Sequence, residues 1–237
     1  EDVRVGLGME RRVDGVAHRR RVVVYDLETT GLGAGANVVE IGAVELLDGA
    51  VSGAYFHALC RPPSRISHGA ACIHGITDEM VAEAKPMELV LGAFCEWISR
   101  STGALVAHNA AFDGDVLLRC LDRLGLPPLP VGEVVCTMTR YRALMSGSAC
   151  LAAACDAFGI QLDGCILHNA LVDAYLTTRL FLVLDTAASV ASTAVARAVQ
   201  VTATRSVQRL TTHAHGTTND EFDDDEPMSH ATKAASD

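Results

Sequence analysis

A chain of 237 residues, about half of them apolar, is long enough for one domain with a true hydrophobic core and a remainder beyond it. No apolar run reaches the roughly 20 residues of a membrane helix, since the longest stretch, Leu176 to Val195, is broken by Arg179 and Asp185, so no membrane partner is expected. The net charge of −10 argues against a broad electrostatic grip on long duplexes, but residues 211–237 hold seven acids against one lysine, leaving only −4 for residues 1–210.

The chain begins at Glu1 and its first methionine is Met9, as in a trimmed chain or a fragment. Five arginines between residues 11 and 21 invite a targeting reading, but Glu1, Asp2, Glu10 and Asp14 are mixed among them, so residues 1–17 read as a solvated extension. Arg21–Asp26 is a short β-branched run that reads as a buried strand. Residues 37–47 and 51–59 predict two more strands, joined by a turn at Asp48-Gly49-Ala50. After Thr77-Asp78 the periodicity becomes helical, and Pro86 opens a segment with Leu89, Val90, Ala93, Phe94 and Trp97 on one face. Residues 104–107 predict a fourth strand, 110–124 a helix stopped by Gly125 and Pro127, and 134–136 a fifth strand. Residues 148–158 and 169–184 predict further helices.

Strands followed by strands alternating with helices point to an α/β domain, a mixed central sheet flanked by helices, over residues 18–184. Residues 185–237 read as an Ala/Ser/Thr-rich segment and an acidic, disordered tail. Of the eight cysteines none forms a C-x-x-C pair; Cys60, Cys72, Cys95 and Cys120 sit singly among apolar residues. They read as small buried hydrophobes of a reducing, intracellular compartment, not as disulfides or a zinc site.

Three clusters carry chemistry. In Asp26-Leu27-Glu28-Thr29-Thr30-Gly31 the two acids are two apart on a strand, so both face one point, where a divalent cation is the simplest compensation for adjacent anions losing water. Solvated acids at a strand end are the plain alternative. In His108-Asn109-Ala110-Ala111-Phe112-Asp113 the acid falls in the first turn of a helix, which favours a carboxylate in any case. His168 and Asp173 lie five apart, a poor offset for one helix face. The spacing works if Asn169 is the N-cap, with His168 in the loop ahead and Asp173 one turn inside, an arrangement suited to a general base beside a metal site. His18, His57, His68, His213, His215 and His230 show no partner pattern and read as ordinary.

In order and spacing, Asp-x-Glu-Thr-x-Gly, His-Asn-x-x-Phe-Asp and His-x-x-x-x-Asp closely resemble the DEDDh family of 3′–5′ exonucleases, nearest to its bacterial proofreading (epsilon) type. Glu40-Ile41-Gly42-Ala43 and His74-Gly75-Ile76-Thr77 match the same pattern. The resemblance implies a ribonuclease-H-like exonuclease fold and makes Asp26, Glu28, Asp113 and Asp173 ligands of two Mg²⁺ or Mn²⁺ ions. It makes His168 the base acting on the attacking water, with nucleoside 5′-monophosphates released from 3′ ends. It also implies that Thr29, Leu32, His74 and Phe112 pack on the terminal nucleotide and that Asn109 lies close by. The type often carries an acid five residues before the histidine at His74-Gly75-Ile76; here Gly69 stands there, so that contact is not carried over.

The implied activity is metal-dependent 3′–5′ exonucleolysis of single-stranded or frayed DNA ends, of proofreading or repair type. The alternatives are RNA 3′-end trimming by the same family and a non-catalytic module binding nucleic acid or a polymerase; a glycosidase does not explain His168, Asp173 and the Asp113 cluster together. The Asp220–Glu226 acids with Phe222 suit either a docking peptide for a polymerase or repair partner or, the stronger reading, a solubilising tail.

Overall fold

The computed structural model describes residues 4–6, 20–99, 103–129, 132–162 and 167–189. All of these except Ser189 fall in one compact unit, Glu1–Ala188. The arginines at 11, 12 and 19, the segment from 190 and the acidic tail lie outside the described residues.

Six strands form one sheet: β1 (Arg4–Gly6), β2 (Arg21–Thr29), β3 (Val38–Leu47), β4 (Ala50–Leu59), β5 (Ala104–Ala107) and β6 (Glu133–Cys136), in the order β1-β4-β3-β2-β5-β6. The β2-β3-β4 meander is antiparallel and β1 joins its edge antiparallel, while β2-β5 and β5-β6 are parallel. The expected mixed sheet is therefore present, and three residues of the segment read as an extension pair with β4.

Alternation along β2 sends its residues to two different cores. Val23, Tyr25 and Leu27 join one cluster with Phe94, Trp97 and Leu117, while Val22 and Val24 join another with Phe181. The first cluster is closed by α3 (Met87–Ser99) and α4 (Ala110–Arg123). The buried side of α3 is Met87, Val90, Leu91, Phe94, Cys95, Trp97 and Ile98. Leu89, expected on that face, is instead 60% exposed, because the buried stripe runs through Met87 and Leu91 and turns residue 89 to solvent. At the far end of α3, buried Arg21 donates to the Ile98 and Trp97 carbonyls (2.8 and 3.0 Å), satisfying last-turn acceptors the helix itself cannot pair.

Four more helices complete the unit: α1 (His68–His74), α2 (Asp78–Val81), α5 (Thr137–Leu144) and α6 (Leu151–Ala157). A last helix, α7, runs over residues 170–189, and its Leu176, Leu180 and Leu184 pack with Tyr141, Ala154 and Cys155. Cys60, Cys95 and Cys120 are buried as expected, but Cys72 is exposed on α1, which buries no residue at all. No helix among the described residues is long and apolar enough to cross a membrane.

Candidate active site at the carboxyl end of the parallel strands

The last turn of β2 lies where the sheet changes from antiparallel to parallel pairing, and α4 starts just beyond the end of its parallel neighbour β5. Crevices outside the carboxyl ends of parallel strands are the usual ligand sites of open α/β sheets. Asp26 and Glu28 follow Val22 and Val24 on one face of β2, and the register shifts between Glu28 and Thr29 as the strand leaves the sheet. Asp113 is buried in the first turn of α4. Asp173 is buried one turn into α7, with His168 exposed in the loop ahead of it.

The joint at α7 has the expected form. Asn169 Oδ1 accepts the Val172 N–H (3.2 Å), the bond an N-cap makes, and the His168 N–H donates to Asp173 Oδ2 (3.0 Å). His168 takes the left-handed conformation (φ 64°), which is uncommon for a residue with a side chain. Ligating atoms of Glu28, His168 and Asp173 all lie within 4.8 Å of one another.

Electrostatics bind the four acids into one centre. Asp26 is held well above the ordinary carboxylate range by burial and then by Asp113, Asp173, Glu28 and Glu40. Burial, with Asp173, Glu40 and Asp113, pushes Glu28 to about 8. Burial pushes Asp113 to about 7 against the pull of backbone N–H groups at Asp113 and Leu27, and burial also raises Asp173 against its His168 N–H bond. Four carboxylates this close cannot all ionise at neutral pH without a compensating cation. Asp173 Oδ1 is buried with no hydrogen-bond partner among the described residues, an oxygen left for such an ion. A set of oxygens with one imidazole suits a hard divalent cation, so these residues fit the metal that the fold implies.

Of the residues expected around the terminal nucleotide, His74 and Thr29 are bonded to each other beside Glu28. His74 Nε2 donates to the Thr29 carbonyl (3.1 Å) while its Nδ1 accepts the Ile76 N–H (3.0 Å), fixing one neutral tautomer. Burial lowers its pKa further, so the ring stays uncharged. Thr29 is buried, its hydroxyl donating to the Gly31 carbonyl (2.8 Å). Leu32, 82% exposed, stands out from the loop after β2. Asn109 is exposed at the start of α4, its side chain making no cap bond, and Phe112 is half-buried against the first core cluster.

Two further contacts went unread in the sequence. Glu40 on β3 is 3% exposed and lies directly across from Glu28, and His57, read as ordinary, donates from Nε2 to Glu40 Oε1 (2.7 Å). In the sequence Glu40 belongs to the Glu40-Ile41-Gly42-Ala43 match, which assigns it no partner. His68, likewise read as ordinary, lies 3.5 Å from the Cys72 sulfur.

The RNase T family, described as an exonuclease, matches residues 23–181. The chain is 31% identical over 176 residues to the DNA polymerase III subunit epsilon of Buchnera aphidicola, covering 70% of this chain and 73% of that one. It is 34% identical over 167 residues to the same subunit of Rickettsia felis, covering 68% and 72%. Exonuclease X, solved in complex with 5′ overhanging duplex DNA, is 32% identical with a TM-score of 0.56, covering 71% of this chain and 92% of that one. The nuclease domain of 3′hExo, a DEDDh family member bound to rAMP, shares the fold at 16% identity with a TM-score of 0.59 and 72% and 94% coverage. A ribonuclease-H-like sheet carrying acids in this order, matched over most of its length, makes this chain a member of the RNase T exonuclease family and a 3′–5′ exonuclease of the DEDDh type.

Proposed function

We propose that the chain removes nucleoside 5′-monophosphates one at a time from single-stranded or frayed 3′ ends of DNA, in proofreading or repair. The observation that carries this reading is the meeting of Glu28, His168 and Asp173 within 4.8 Å, beside an Asp26 raised by burial and by Asp113. Asp26, Glu28, Asp113 and Asp173 would hold two Mg²⁺ or Mn²⁺ ions. Bound there, such ions supply an acidified water and charge stabilisation at the leaving 3′ oxygen.

The chain's own residues do the rest. The imidazole of His168 takes a proton from the attacking water, and its backbone bond to Asp173 keeps the base beside the metal ligands. Neutral His74 adds no charge beside the scissile phosphate, while its bond to the Thr29 carbonyl braces the end of β2. Leu32 and Phe112 offer apolar contact to the terminal base, which tolerates any base identity. The relatives' names as polymerase III subunits, and a related exonuclease solved with DNA, support DNA as substrate. Buried Cys60, Cys95 and Cys120 support a reducing compartment inside the cell. A polymerase or repair partner would engage residues 185–237.

The test is digestion of 3′- and 5′-labelled single-stranded oligonucleotides, as DNA and as RNA, with Mg²⁺, Mn²⁺ or EDTA. Metal-dependent mononucleotide release from DNA 3′ ends, abolished in Asp26→Ala, is the expected result. Faster release from RNA would replace the DNA assignment. No release from either polymer would leave a non-catalytic binding module.

A further inference from the structure

The two β3 residues directly opposite the catalytic carboxylates of β2 are the two that meet the start of α7. Asp26 pairs with Gly42 and Glu28 with Glu40. Glu40 Oε2 accepts the Ala170 N–H (3.0 Å) and its Oε1 accepts from Asn169 Nδ2 (3.0 Å) and His57 Nε2 (2.7 Å). Ala170 opens α7, where the first N–H groups have no partner in the helix and a carboxylate is favoured. At Gly42 a Cβ would stand 2.2 to 2.4 Å from the Leu171 nitrogen and the Ala170 carbonyl, so the helix backbone rests on bare strand.

Glu40 comes at a cost to the centre, since its charge adds to the forces raising Asp26, Glu28 and Asp173. A fifth acid in a crowded anionic centre needs a compensating reason. Its three donors come from the turn beside His168, the first residue of α7 and β4. The path from the Glu28 carboxylate to the His168 ring thus runs through one strand pair and one carboxylate.

We infer that Glu40, seated on α7 through the gap at Gly42, is a positioning residue that sets His168 and Asp173 against Asp26 and Glu28. It touches no substrate; it fixes the separation of the two halves of the site. The inference rests on His168 acting as the base.

Single-turnover cleavage of a 5′-labelled single-stranded DNA oligonucleotide with Mg²⁺ and enzyme in excess tests it, because the rate constant is then unaffected by any inactive fraction. Oligonucleotide affinity is read separately by anisotropy in Ca²⁺, and exchange of the Ala170 amide by hydrogen–deuterium measurement. Glu40→Gln, which replaces one acceptor by a donor, is expected to slow cleavage about 100-fold, the scale of a misplacement near 1 Å. Affinity should stay within about threefold of the parent, below 1 kcal/mol, while the Ala170 amide exchanges faster. Glu40→Asp keeps the charge but draws the carboxylate back by one methylene, and it should also slow cleavage at unchanged affinity. This second variant separates position from charge and stands in if Glu40→Gln does not fold. Parental rates in Glu40→Asp or Glu40→Gln, with His168→Ala inactive, would overturn the inference alone. So would a loss shared equally between rate and affinity, the mark of a site distorted throughout and not of a displaced base. A parental rate in His168→Ala would instead remove the base assignment and the inference with it.

Discussion

The two halves of the catalytic centre are built by different means. Asp26 and Glu28 sit on a nine-residue strand bonded on both sides and buried on both faces, so their position is set by the whole sheet. His168 is exposed, in a left-handed conformation ahead of a helix, and its described anchor is a single backbone bond to Asp173. The proposed metal-facing half is placed by sheet packing, and the proposed proton-transfer half by a helix cap. On the proposed assignment the labour is divided: ligands that must not move are in the core, and the group that would exchange protons with water is at its edge.

Breaking the buried half should have the largest effect. Asp26→Asn is expected to lower kcat by about 10⁴-fold, as for loss of a central catalytic group, while raising the melting temperature of the metal-free protein by relieving like-charge crowding. Steady-state digestion and thermal melts in EDTA check both halves of that statement. A lower metal-free melting temperature would count against the crowding argument.

Breaking the exposed half should cost less. His168→Ala is expected to reduce kcat by about 10² to 10⁴-fold, the usual range for a general base, with KM and melting temperature near parental values. A melting temperature that fell with activity would show that the ring supports the fold as well.

The contrast sharpens with pH. Glu28 at about 8 and Asp113 at about 7 lie above their unfolded values, so the folded metal-free protein holds protons that the unfolded chain has released. That contribution is complete below the unfolded carboxylate range and is lost as pH rises through 7 to 8. Melting in EDTA should therefore drop between pH 5 and pH 8.5, by about 5 °C or more for a domain of this size, and saturating Mg²⁺ should restore most of the loss at the higher pH. An unchanged or rising melting temperature in EDTA would contradict it. The smallest effect belongs to Leu32→Ala. A side chain 82% exposed adds little to stability, so melting should not change while KM for a single-stranded oligonucleotide rises severalfold, about 1 kcal/mol of apolar contact to the terminal base.

Much of this architecture is legible in the residues. Strands β2 to β6 were readable because β-branched or apolar runs end at turn residues, and the Asn169 cap because an offset of five allows few geometries, while β1 fell in the segment read as an extension. What escaped did so for physical reasons. The seven residues of α1 bury nothing, so no apolar period marks them; only Ser67, accepting from the Ala70 N–H, and Gly75 in the left-handed region define its ends. Helix α5 starts at Cys136 without a side-chain cap and buries only Thr137 and Tyr141. The partners of Glu40 on α7 lie 129 and 130 residues further along the chain, a distance no local pattern spans. His57 was invisible for the same reason, since its partner lies on the neighbouring strand.

The two-faced burial of β2 also governs which length changes the gene can accept. Because side chains alternate, inserting or deleting one residue before Asp26 would carry both acids to the face filled by Phe94 and Leu117 and drive Tyr25 and Leu27 toward the metal site. The exposed residues 32–35, a few positions on, face no such constraint. Lineages of this enzyme should therefore vary in length at that turn while keeping the strand before it free of gaps.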